Sequence, residues 1–210
     1  MKTPTYELVT TMTRLKDWVD VCSNSKLIAV DTETTSKDPL TCSLVGVCLA
    51  SDPDTSCYIP FGHKTDEKQL SEDDVLDALA PILEDENVRK VYQNAPYDVT
   101  IFERYGMSNE NYACTQRMHY VLNNGPSGHG FDDMCLEYFD HKTIEFDDVV
   151  LTHPLIGHET FADVMLSDAV AYAAEDAAWT LRLYKAMRQK LKKKDQWDIY
   201  MEIDEPMMAA

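Results

Sequence analysis

The sequence predicts an α/β fold, a mixed sheet of about five strands flanked by helices. Short apolar, β-favouring runs alternate with segments whose apolar residues recur every three or four positions, in the order three strands, helix, strand, helix, strand, then helices. Only Ser51-Asp52-Pro53-Asp54-Thr55 joins the second and third strands. That turn chemistry makes them a hairpin at one side of the sheet.

The elements follow in chain order. Within residues 5–25, Met12 to Val21 is amphipathic, with Leu15, Trp18, Val19 and Cys22 at helical spacing, and packs against the sheet edge. Residues 26–32 form the first strand, a buried apolar run that ends in Asp31-Thr32-Glu33-Thr34. Ser43 to Ala50 and Cys57 to Phe61 are the hairpin strands. Ser71 is an N-cap, and Val75, Leu76, Leu79, Ile82 and Leu83 give the helix after it an apolar face. Val88 to Tyr92 is a short strand running into Gln93-Asn94-Ala95-Pro96-Tyr97-Asp98. Pro96 suits the first turn of the next helix, and Gly106 ends it. Residues 111–123 repeat the strand-to-helix pattern. The glycine-rich stretch 125–130 is expected to be a mobile loop, Phe131 to Phe139 a short helix, and Glu145-Phe146-Asp147-Asp148 the lead into a loop holding Pro154 and Gly157. The last long helix runs from an N-cap at Ser167 to about Lys194, with Val170, Ala174, Ala177, Leu181, Tyr184 and Leu191 on one face. Its basic end complements the helix dipole.

Composition narrows the function. The chain has 210 residues, 44% of them hydrophobic, which is enough for one domain with a substantial core. With 37 acidic and 19 basic side chains, its net charge is -18. That balance argues against a broad basic face gripping nucleic acid, but not against a metal-mediated contact. Six cysteines without Cys-x-x-Cys spacing read as buried thiols in a reducing compartment. No apolar signal core opens the chain and no run is long enough to span a bilayer, so a cytoplasmic-type protein is expected.

Chemistry concentrates at the end of the first strand. Asp31 and Glu33 are two residues apart, so both side chains point the same way. Like charges that close repel, and a divalent cation relieves the repulsion because hard cations take carboxylate oxygens. Asp98 sits in the first turn of a helix that follows a strand, where it can reach beyond the strand ends. Tyr172 and Asp176 lie four apart on the last helix and share a face.

In this order, Asp31-x-Glu33, Asn94-x-x-Tyr97-Asp98 and Tyr172-x-x-x-Asp176 resemble the 3′–5′ exonuclease superfamily with four acids and a tyrosine. The nearer resemblance is to the proofreading domain of bacterial and phage family A (Klenow-type) DNA polymerases. It runs from about residue 26 to the end and includes Gln93-Asn94, His141-Lys142-Thr143-Ile144 and Tyr172-Ala-Ala-Glu-Asp176-Ala. The final Tyr200-Met-Glu-Ile-Asp-Glu-Pro206-Met-Met is similar to the segment that starts the polymerase part. Lys37 departs from the pattern, standing where an apolar residue is expected near the substrate.

The resemblance implies a ribonuclease-H-like fold and two divalent cations, Mg²⁺ or Mn²⁺. Asp31, Glu33 and Asp176 would hold one, Asp31 and Asp98 the other, and Tyr172 would orient the attacking water. Thr34, Gln93, Asn94 and Tyr97 would line the pocket for the last nucleotides. The partner it implies is the 3′ end of single-stranded DNA, with a polymerase domain in the same or a companion chain. Residues 1–195 would form the exonuclease domain and 196–210 the start of a polymerase segment, with a mobile, uncovered tail after residue 196. Two alternatives use the same acids: a stand-alone exonuclease of the ribonuclease D or Werner type acting on RNA or structured ends, and an inactive nucleic-acid-binding module. Glu175, adjacent to Asp176 but on another face, is expected to be a dispensable surface acid.

Overall fold

A computed structural model describes residues 4–123, 128–150 and 160–208. Within the expected loops, Gly125, Pro126, Ser127, Pro154 and Gly157 lie outside the described residues. The strands are β1 (Thr5–Leu8), β2 (Leu27–Thr34), β3 (Leu44–Asp52), β4 (Thr55–Pro60), β5 (Arg89–Tyr92) and β6 (Tyr112–Cys114). The principal helices are α1 (Met12–Ser23), α2 (Glu72–Leu83), α3 (Ala95–Arg104), α4 (Thr115–Leu122), α5 (Phe131–Phe139), α6 (Phe146–Val150) and α7 (Leu166–Lys193).

The sheet has six strands in the order β1-β4-β3-β2-β5-β6, one more than expected. The addition is β1, an edge strand paired in parallel with β4. Its four residues are exposed or half-buried without clear alternation, so no local pattern announces it. The hairpin holds: β3 and β4 are antiparallel and turn at Pro53-Asp54. β2 lies centrally, antiparallel to β3 and parallel to β5.

The faces of the sheet bury different sets of side chains. Ile28, Val30, Val47 and Leu49 pack with Leu15 of α1, Leu79 of α2 and Phe102 of α3. Ala29, Val45, Cys48 and Tyr58 pack on the other face with Ala173, Ala177 and Leu181 of α7. Strand alternation sends successive residues of β2 to opposite layers, so the carboxylates at its end inherit the α7 side.

Local signals fix several boundaries. Ser71 caps α2 by accepting from the Asp74 N–H. Pro96 lies in the first turn of α3, and Gly106 follows that helix with φ +80, a conformation glycine adopts without strain. The start of α7 differs from expectation. Its N-cap is Met165, not Ser167, and the Leu166 N–H donates to the Glu67 carboxylate at 2.7 Å. A distant loop therefore supplies the capping acceptor, and Ser167 falls inside the helix.

The C-terminal segment is packed rather than loose. Residues 197–204 and 206–208 are helical, Tyr200 is fully buried, and its hydroxyl accepts from the Cys114 N–H at 3.0 Å. Arg89 pairs with Glu205 and donates to the Tyr184 hydroxyl. The expected uncovered tail is thus divided: Tyr200 belongs to the core, while Ile203 and Met207 are exposed.

Candidate active site

The site forms where β2 ends. Pairing with β3 places Asp31 opposite Cys48 and Glu33 opposite Gly46, with a register shift between Glu33 and Thr34. Gly46 permits tight packing beneath the acids, because a Cβ there would lie 2.4 Å from the Tyr58 ring. Tyr58 is held in turn by His63, whose Nε2 lies 2.6 Å from the Tyr58 hydroxyl. The His63 Nδ1–H donates to the Val164 carbonyl at 2.8 Å, so Nε2 accepts from Tyr58.

The four predicted acids converge from both layers. Asp31 and Glu33 face α7, and Asp176 on α7 lies within electrostatic reach of both. Asp98 comes from α3 on the opposite layer. It reaches over the strand end because the Thr32 hydroxyl donates to its Oδ1 at 2.7 Å. Burial, followed by the charges of Asp176 and Asp98, pushes the Asp31 carboxyl well above the usual range. Burial, followed by Asp31 and Asp98, does the same to Glu33. Burial and then Glu33 raise Asp176. Burial lifts Asp98 to about 7 against the opposing Thr32 hydrogen bond.

This arrangement fits divalent cations. Glu33 is 7% exposed, yet its Oε1 has no hydrogen-bond partner. An orphaned buried carboxylate oxygen is costly, and a cation would satisfy it. The donors are hard oxygens suited to Mg²⁺ or Mn²⁺. The set also contains a residue the sequence reading missed: the donor atoms of Asp31, Glu33 and Cys48 all lie within 4.8 Å of one another. No local signal marks Cys48, because its proximity depends on the β2–β3 register.

Tyr172 and Asp176 share a face of α7 as expected. Phe161 and Phe146 pack around the Tyr172 ring, at 5.4 and 6.1 Å between centroids. Burial is the main cause of its raised phenol pKa, followed by Asp176 and Glu33. The hydroxyl therefore stays protonated and able to donate.

Glu175 is a correction. It is 4% exposed, not a surface acid. Its Oε2 accepts from the Ile144 N–H at 2.7 Å, and its Oε1 lies 2.9 Å from His141 Nε2. The His141 ring stacks on Trp179 at 3.8 Å. Glu175 and Trp179 thus pin the stretch 141–144 to α7. Thr143 on this stretch donates to Asp132, a further acid whose charge reaches Asp176 and Tyr172.

Among the expected nucleotide contacts, the hydroxyls of Thr34 and Tyr97 lie 2.6 Å apart and share the Ser36 carbonyl as an acceptor, at 2.9 and 2.7 Å. Gln93 and Asn94 are half-buried just before α3, and Asn94 is its N-cap residue. A cavity of about 420 Å³ opens on the α5 side, lined by Lys37, Asp132, Lys142, Thr143 and Phe146. Lys37, the departure from the family pattern, is exposed and lines this cavity.

Residues 6–192 match the model of a family described as 3′–5′ exonuclease. The chain is 35% identical over 193 residues to DNA polymerase I of Pseudomonas aeruginosa, covering 89% of this chain and 21% of the polymerase. It therefore spans about a fifth of the length of the curated relatives it matches. Escherichia coli RNase D, an exoribonuclease involved in structured RNA processing, has a similar fold, with TM-score 0.69, 18% identity, 98% of this chain covered and 50% of that one. Brucella melitensis NrnC with bound Mg²⁺ is also similar, with TM-score 0.65, 18% identity and coverage of 93% and 85%. Among the described residues, no helix is long and apolar enough to cross a membrane.

Proposed function

Because the chain belongs to the 3′–5′ exonuclease family of family A DNA polymerases, we propose that it hydrolyses the terminal phosphodiester of single-stranded DNA from the 3′ end, releasing 5′-nucleotides as a proofreading activity. The observation that carries this reading is the convergence of four carboxylates, Glu33 and Asp98 buried and Asp31 and Asp176 half-buried, one with an unpartnered oxygen, beside a protonated tyrosine.

Asp31, Glu33 and Asp176 would hold one divalent cation, and Asp31 and Asp98 a second. Such ions, when bound, stabilise the attacking and leaving oxygens of an in-line displacement. The Tyr172 hydroxyl orients the attacking water. Thr32 keeps Asp98 turned toward the site through its 2.7 Å bond. Thr34, Gln93, Asn94 and Tyr97 line the path of the last nucleotides, where an aromatic ring supports any base. Residues 1–195 act as the exonuclease domain and 196–210 as the first segment of a polymerase part.

The assay is digestion of 3′-labelled and 5′-labelled single-stranded DNA with Mg²⁺ and with EDTA. Mononucleotides released from the 3′ end only with Mg²⁺ support the reading; internal cuts or 5′ shortening overturn it. An RNA oligonucleotide belongs in the same assay, because the fold is shared with an exoribonuclease. The 35% identity to a DNA polymerase puts DNA first.

A further inference from the structure

Cys48 has no part in the reaction described above. It is fully buried on β3, directly across from Asp31 in the ladder, so its thiol faces the carboxylates. Among the described residues, Asp31, Glu33 and Cys48 are the only three metal-donor side chains with ligand atoms within 4.8 Å of one another. Donors around a tetrahedral zinc sit roughly 3.4–3.6 Å apart, from bond lengths of about 2.1 Å to oxygen and 2.3 Å to sulfur. Small side-chain rotations would close the difference. A second, independent observation points to a ligand here: Glu33 Oε1 is buried and unpartnered in a residue 7% exposed.

We propose that Asp31, Glu33 and Cys48 form a mixed oxygen–sulfur site that captures a thiophilic divalent cation, zinc or cadmium, in the place of a catalytic Mg²⁺. Mg²⁺ uses only the oxygens, because it takes hard donors and keeps its waters. Zinc and cadmium gain the sulfur as well. As the metal–sulfur bond forms, the thiol S–H breaks heterolytically and its proton passes to solvent, with no change of oxidation state. The captured ion would inhibit digestion by withholding the position from Mg²⁺. That inhibitory consequence rests on the proposed function; the binding itself does not.

The test is a cadmium titration of the whole metal-free chain in a non-thiol reductant, followed by sulfur-to-cadmium charge-transfer absorption. A saturable band at one cadmium per chain is expected, diminished by excess Mn²⁺. Cys48→Ser should abolish the band and weaken cadmium binding at least about tenfold, since even outer supporting residues cost 10–100-fold in affinity. Asp31→Asn, which leaves the sulfur in place, should weaken binding similarly, and Cys22→Ser on α1 should not. No band in the parent chain, a band that survives Cys48→Ser, or a band unmoved by Mn²⁺ overturns the proposal. Should Cys48→Ser fail to fold, cadmium NMR of the parent chain decides: a mixed oxygen–sulfur shift supports it and an all-oxygen shift overturns it. Mg²⁺-dependent digestion is measured on the same preparation. Its absence would refute the exonuclease reading while leaving the cadmium result standing.

Discussion

Thr32 and Asp98 are 66 residues apart, yet the Thr32 hydroxyl donates to Asp98 Oδ1 at 2.7 Å inside the protein. Thr32 points toward the layer of α1, α2 and α3, whereas its neighbours Asp31 and Glu33 face α7. The bond fastens the fourth acid, which stands on one layer, to three that stand on the other. Thr32→Val keeps the shape and removes the donor. Hydrogen bonds to charged groups contribute about 1.5–3 kcal/mol, so exonuclease kcat/KM should fall by about tenfold or more. Rates on a single-stranded oligonucleotide at saturating Mg²⁺ check this; unchanged rates would mean that Asp98 is placed by other contacts.

The raised carboxyls make stability depend on pH in a defined direction. Asp98 titrates near 7 in the metal-free fold because of burial, against about 3.9 in an unfolded chain. The native state therefore holds that proton more tightly. The resulting stabilisation is complete below about pH 4 and is lost as pH rises through about 7. Asp31, Glu33 and Asp176 are shifted in the same direction. In EDTA the melting temperature should fall between about pH 5 and pH 8, and Asp98→Asn should flatten that slope. A melting temperature that climbs over this interval contradicts the burial of these carboxyls.

Metal should reverse the trend. An ion that binds only the native state stabilises it by mass action and takes the place of protons as pH rises. Millimolar Mn²⁺ should raise the melting temperature more at about pH 8 than at about pH 5. Asp31→Ala should blunt the rise at both. An equal rise in the mutant would place the ions elsewhere on this acidic surface.

Glu175 and Asp176 are neighbours with different tasks. Asp176→Ala removes a proposed cation ligand and should lower activity by on the order of 10³ or more, a few kcal/mol in the barrier. Tyr172→Phe should fall between this and the parent, losing only the hydroxyl that orients water. Glu175→Ala strands the Ile144 N–H and His141, so it should unfold several degrees lower. Its loss of activity should be smaller than that of Asp176→Ala. Parallel melting curves and rates separate the roles; an Asp176→Ala variant that remains active would show that the wrong acid of the pair has been assigned to the cation.

The C-terminal segment should behave as part of the core. Tyr200 is fully buried against the β6–α4 region. Truncation of a buried aromatic costs about 3–5 kcal/mol, so Tyr200→Ala should lower stability by about that much. Amide exchange around Tyr200 should be as slow as in α7; rapid exchange after residue 196 would restore the picture of a loose tail.

The sequence by itself determined whatever depends on neighbours along the chain. Apolar β-favouring runs and helical periodicity located β2 to β6 and the main helices. They also put Asp31 and Glu33 on one side of a strand, and Tyr172 one turn from Asp176, because backbone geometry alone fixes those directions. The tertiary structure decided whatever depends on what lies across a gap. The edge strand Thr5–Leu8 exists only because β4 offers it a ladder. Cys48 reaches the acids only through the β2–β3 register. Glu67 caps α7 from 99 residues away, so Ser167 does not. Glu175 is buried only because the stretch 141–144 folds down onto α7. In each case the free energy comes from a partner distant in sequence, and no local pattern encodes which partner will arrive.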